Sequence, residues 1–131
     1  MQQVPIILVV EDDEPLQEIV HDALKLGGFD LLTTSSGEEA VTLLRSGVVK
    51  YSALVTDIRL NGDANGWEVA RQAREIDPSL AVVYITGSDG EEWSSRGVPN
   101  SLLIQKPFAP AQLVTAVSQL LNTGTPDVSA T

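Results

Sequence analysis

Short unbroken apolar runs alternate along this chain with longer stretches in which apolar residues recur every three or four positions. PIILVV (5–10) is continuous and rich in β-branched residues, which predicts a strand buried on both faces. From Pro15 onward Leu16, Ile19, Val20, Ala23 and Leu24 follow helical spacing, and Gly27-Gly28 end that helix. FDLLTT (29–34) predicts a second strand, and Ser36 heads a helix carrying Ala40, Val41 and Leu44 that stops at Gly47. SALVTD (52–57) predicts a third strand, followed by the loop GDANG (62–66) and a helix over Trp67–Ile76. LAVVYITG (80–87) predicts a fourth strand, with a short helix around Glu91–Ser95 after it. LLIQ (102–105) predicts a fifth, and a last helix over Pro110–Leu121 has Leu113, Val114, Val117, Leu120 and Leu121 on its apolar side.

Strands that alternate with helices and read as buried on both faces predict an α/β fold, a five-stranded parallel sheet with helices on both faces. Right-handed crossovers bring the carboxyl ends of all its strands to one edge, where such sheets bind ligands. The length of 131 residues suits one domain. It is expected to occupy residues 1–122, with 123–131 as a small, polar, fraying tail.

Composition narrows the function. A hydrophobic share of 43% is that of an ordinary globular protein. No apolar run reaches the roughly 18 residues that a membrane span needs. MQQVP lacks the basic and apolar parts of a signal peptide, and cysteine is absent, so a cytoplasmic protein is expected. A formal net charge of −10 argues against sequence-independent binding to nucleic acid or to anionic membrane, both of which need a basic face. A metal ion or a protein partner suits it better.

The charge begins where the first strand stops. Glu11, Asp12, Asp13 and Glu14 follow the apolar run directly, as a solvated turn would, or a cation site. The topology favours the second reading. Glu11 and Asp12 follow the first strand, Asp57 closes the third, Thr86 closes the fourth and Lys106 follows the fifth, so the parallel sheet gathers all five at one edge. Three carboxylates make a hard oxygen site suited to Mg²⁺, a lysine adds a fixed positive charge, and a hydroxyl can donate to an anionic oxygen. Together they can hold a divalent cation and a phosphoryl group, and a carboxylate can itself be the acceptor. Each residue also has a plainer role: Asp13 and Glu14 suit a helix N-terminus, Thr86 before Gly87 a turn, and Lys106 before Pro107 a strand exit. His21 reads as an exposed helix residue, and Trp67 and Trp93 as packing or interface residues.

The ordered set ILVVEDDEPL, LVTDIRL, VVYITG and IQKPF resembles the response-regulator receiver domains of two-component signalling, over residues 5–122. The resemblance, not the residues, supplies the strand order 2-1-3-4-5 of the flavodoxin-like, CheY-like fold. It implies that Glu11 and Asp12 are the acidic pair, Asp57 the phosphoacceptor, Thr86 the switch hydroxyl and Lys106 the conserved-type lysine. The backbone carbonyl of Arg59 would complete the shell of Mg²⁺. A histidine kinase or histidine phosphotransfer protein would supply the phosphoryl group. A downstream protein would read the face made by the fourth helix, fifth strand and fifth helix. Neither nucleic acid nor membrane is implied as a partner, homodimerisation is left open, and the domain signals rather than turns over a substrate.

The sequence departs from the family in three places. The loop DIRLNGDANG lacks a proline and carries one extra residue. Leu103 stands three residues before Lys106, where many receivers have an aromatic switch residue, and the stretch from Asp89 to Ser101 is short for a full fourth helix. Two other functions compete. An aspartate-nucleophile phosphatase would want a second aspartate where Arg59 stands, and a pseudo-receiver that only binds partners would not need all five pocket residues. A phosphodonor assay with Mg²⁺ separates the three readings.

Overall fold

The computed structural model describes residues 4–60, 62, 65–88 and 90–123. Its elements are β1 (Ile6–Val10), α1 (Glu14–Leu26), β2 (Asp30–Thr34), α2 (Gly37–Ser46), β3 (Ala53–Asp57), α3 (Gly66–Ile76), β4 (Ala81–Thr86), α4 (Trp93–Arg96), β5 (Ser101–Gln105) and α5 (Pro110–Thr123). All strands are parallel, in the order β2-β1-β3-β4-β5. The expected strands and helices are all present, with most ends moved by one residue.

The unbroken apolar runs follow from burial on both faces. Along β1, Ile7 and Val9 pack with Val20 and Leu24 of α1 and Leu113 and Val117 of α5. Leu8 and Val10, pointing the other way, pack with Leu44 of α2 and Val69 and Ala73 of α3. The helices start where the sequence offers caps: Asp13 accepts from Leu16 N at 3.1 Å, Ser36 from Glu39 N at 3.1 Å and Asn65 from Glu68 N at 2.9 Å. Gly47 closes α2 with φ at 69°, a left-handed conformation that glycine adopts without a Cβ penalty.

Two elements differ from expectation. The short helix expected around Glu91–Ser95 is a 3-10 turn over Gly90–Glu92 followed by the single turn of α4. Side chains of neighbouring elements hold this segment where a longer helix would hold itself. The Trp93 indole donates to Ser101 Oγ at 2.9 Å, and the buried Tyr84 hydroxyl accepts from Val98 N at 3.0 Å. Arg74 of α3 donates to the carbonyls of Leu80 and Pro99, and to that of Asn100 at 3.0 Å. The second difference is at the C-terminus, where α5 runs through Thr123 and takes in the first residue assigned to the tail. The remainder of that tail, 124–131, lies outside the described residues, as do positions 61, 63 and 64 of the loop after β3.

Candidate functional site

The register of the sheet sets the site. Val10 pairs with Thr56, Asp57 with Ile85 and Thr86 with Gln105, so the last paired rows end side by side. The chain leaves β1 at Glu11 and β5 at Lys106 on that same edge. Ligand atoms of Glu11, Asp12 and Asp57 lie within 4.8 Å of one another. Lys106 Nζ donates to Asp57 Oδ2 at 3.3 Å. Thr86 is buried at the end of β4, where its hydroxyl accepts from Ser88 N at 3.2 Å and its carbonyl from Lys106 N at 2.8 Å. Arg59 follows Asp57 by two residues and is exposed in the loop. The structure thus brings four of the six candidate residues into one cluster, with Thr86 closing the adjoining strand and Arg59 in the loop that follows β3.

The carboxylates differ in environment. Glu11 is only 2% exposed. Its Oε2 accepts from Asp13 N at 3.1 Å, while Oε1 is buried with no hydrogen-bond partner among the described residues. Burial, and after it the charge of Asp57, push the Glu11 carboxyl up to about 7. Burial also raises Asp57, and the Lys106 ammonium opposes that rise. Asp12 stands half-exposed beside them. A buried carboxylate oxygen without a donor is costly, and a cation is the natural partner for it. The residues present therefore fit a hard divalent ion such as Mg²⁺.

Two supporting residues, Gly66 and Gln17, escaped the sequence reading, as did the backbone contact of Asp13 to Glu11. Gly66 opens α3 directly against the end of β3: its N–H donates to Ile58 O at 2.7 Å, and a Cβ there would collide with the carbonyl of Asp57 and the Cα of Ile58. A glycine at the start of a helix was the available signal, hidden by the loop that precedes it. Gln17 donates its side-chain amide to the carbonyl of Glu11. Asp13 does two things at once, capping α1 through its side chain and holding Glu11 through its backbone. His21 is exposed as expected, and Trp67 is a packing residue, 4.8 Å from the Tyr84 ring.

Comparison with known proteins agrees with this geometry. A family profile described as the response regulator receiver domain matches residues 7–118. The chain belongs to that family. A response regulator receiver protein from Sinorhizobium medicae is 45% identical and superposes with a TM-score of 0.90, covering 93% of this chain and 98% of that one. The response regulator SaeR of Staphylococcus aureus is 25% identical over 117 residues, which are 88% of this chain and 50% of that protein. The chain thus spans about half the length of the curated relatives it matches. The receiver domain of a sensor histidine kinase from Pseudomonas aeruginosa, 22% identical, has the same fold with a TM-score of 0.79, covering 92% and 99% of the two chains. That domain was crystallised with magnesium coordinated in its active-site cleft. This receiver is accordingly a signalling domain of a two-component system, and phosphorylation at an aspartate is the general function of its kind. Receivers work with histidine kinases and with downstream effectors. Among the described residues no helix is long and apolar enough to cross a membrane.

Proposed function

We propose that Asp57 accepts a phosphoryl group from a phosphohistidine and that the resulting aspartyl phosphate switches a protein-binding surface. The observation that carries this is the convergence on Asp57, with Lys106 Nζ at 3.3 Å and the Glu11 and Asp12 carboxylates in the same cluster. An Asp57 oxygen attacks phosphorus, the bond from phosphorus to the donor's imidazole nitrogen breaks, and the imidazole leaves with the electron pair. Lys106 favours the ionised carboxylate before the reaction and faces the phosphoryl oxygens after it. The Thr86 hydroxyl can turn its proton toward the product. Glu11, Asp12, Asp57 and the backbone carbonyl of Arg59 would hold Mg²⁺, which supplies charge neutralisation for the carboxylates and for the phosphoryl oxygens. Most of the barrier lowering is positioning and electrostatics, as in other phosphoryl transfers.

The donor is a histidine kinase or a histidine phosphotransfer protein, and the setting is cytoplasmic. The output face comprises α4, β5 and α5, to which Thr86 and Lys106 connect through the β4 and β5 exits. With Leu103 at the position usual for an aromatic switch residue, the response falls on the side-chain-tethered segment 90–100 rather than on a swinging ring.

Incubation with acetyl phosphate or phosphoramidate and Mg²⁺, followed by mass mapping, tests the assignment. Label should appear on Asp57 and vanish in Asp57→Asn. Undiminished labelling of that variant removes Asp57 as the acceptor, catalytic turnover of the donor indicates a phosphatase, and no labelling of either protein indicates a pseudo-receiver.

A further inference from the structure

Thr56 stands one residue before the phosphoacceptor and, by strand alternation, shares the α2–α3 side of the sheet with Leu54. It is completely buried, level with Val10 of β1 and Tyr84 of β4. At neighbouring buried positions of the sheet the chain uses valine: Val9, Val10, Val55, Val82 and Val83. Valine would fill the space of Thr56 without taking a hydroxyl out of water, which is unfavourable unless that hydroxyl is hydrogen-bonded. The Thr56 hydroxyl is bonded, and its partner is the main chain of the acceptor itself. Oγ1 donates to the Asp57 carbonyl at 2.9 Å.

That bond falls where the sheet stops holding the chain. Ile58 N donates to Ile85 O at 3.1 Å, so residue 58 bonds toward β4 and residue 57, by alternation, toward β1. The last row that β1 shares with β3 is Val10–Thr56, and past it β1 has turned away into residues 11–13. The ladder that would have supplied a donor to the Asp57 carbonyl has ended, and the Thr56 hydroxyl supplies one in its place. Gly66 approaches the same carbonyl so closely that a Cβ would collide with it, and donates its own N–H to Ile58 O at 2.7 Å. The two peptide planes that follow the acceptor are thus held at Asp57 O, Ile58 N and Ile58 O. They lead directly to Arg59.

We infer that Thr56 is a positioning residue for phosphoryl transfer, whose hydroxyl fixes the peptide plane between Asp57 and Ile58. The inference rests on the reading of Asp57 as phosphoacceptor and adds to it a residue that touches neither the metal nor the phosphoryl group. Rotation of that plane about the Cα–C bond of Asp57 moves the Arg59 carbonyl relative to the Asp57 carboxylate. Those are two of the groups assigned to one ion, and the carboxylate must also stand in line for attack. Holding the plane still keeps both requirements satisfied together.

Thr56→Val and Thr56→Ser test this beside the wild type, because valine keeps the branched shape without the hydroxyl and serine keeps the hydroxyl. With phosphoramidate and Mg²⁺, the rate constant for labelling Asp57 should fall about tenfold or more in Thr56→Val and stay within about threefold of wild type in Thr56→Ser, since small misplacements of reacting groups cost rates of that order. In the metal-free chain the Ile58 and Gly66 amides should exchange hydrogen faster in Thr56→Val and not in Thr56→Ser. A merely structural role would lower the fraction of chains that take label and leave the rate constant of the rest unchanged, which overturns the inference. Equal losses in the two variants overturn it as well, and so does unchanged exchange at both amides. A wild-type rate constant in Thr56→Val sinks this inference alone, with Asp57 still the acceptor. A wild-type chain that takes no label sinks the acceptor reading and this inference with it.

Discussion

Glu11 and Asp12 are neighbours in sequence, yet their surroundings give them different tasks. Glu11 is buried and already gives one oxygen to Asp13 N, whereas Asp12 is half-exposed at the mouth of the cluster. Calorimetric Mg²⁺ titration should therefore lose more affinity in Asp12→Ala than in Glu11→Ala; equal losses would refute the ranking. Glu11 also sets a pH dependence. Its folded carboxyl is raised from 4.5 to about 7, so between those values the folded chain holds a proton that the unfolded chain has released. Stability without metal should fall as pH rises through that window, by roughly 2 to 3 kcal/mol, since every tenfold change in proton affinity is worth about 1.4 kcal/mol. The raised carboxyl of Asp57 acts with the same sign. Thermal melts at pH 5 and pH 8 check this, and Mg²⁺ should recover the loss at the higher pH alone. Gly66→Ala should cost about 2 kcal/mol or more, because the added carbon meets backbone that cannot turn aside, and should slow phosphorylation as well. The pocket carboxylates, threonine and lysine were legible from sequence, because strand ends in a parallel sheet have a known common edge. Gly66 and the orphaned oxygen of Glu11 were not, since a close approach and a missing donor are properties of three-dimensional neighbours.

At the scale of elements, the apolar periods were enough to find the five strands and the four long helices. Their ends moved mostly by a residue because caps and register fix termini more finely than hydrophobic spacing does. The α4 segment was harder to read. Glu91–Ser95 carries little apolar period, and what holds it comes from Tyr84, Arg74 and Ser101 in other elements. Tyr84→Phe leaves Val98 N–H without its acceptor and should destabilise the fold by about 1 to 3 kcal/mol in denaturant titrations. Its larger effect should be local, with faster hydrogen exchange over residues 90–100 than elsewhere. Beryllofluoride with Mg²⁺, as a phosphate mimic, should alter exchange in that same segment and in α5. Protection confined to the surroundings of Asp57 would mean that the output face lies elsewhere.

The whole molecule is a sheet whose last paired rows end beside its chemistry, so the pocket rests on its most buried strands, β3 and β4. Loops can shift around such a site while its floor stays in place. Viewed as an electrical object, the protein also has an orientation before it touches anything. Of its 26 charged residues only Lys106 falls between Gly97 and Pro126, so the β5–α5 side contributes almost nothing to the field while the carboxylate clusters dominate it. At physiological ionic strength the field fades over about 8 Å, the last layers of water before contact. Within that distance a partner with a basic surface is turned toward the acidic side and away from α5. A contact made on the acidic side should therefore weaken as salt is added, whereas one made on the β5–α5 side should respond to salt far less.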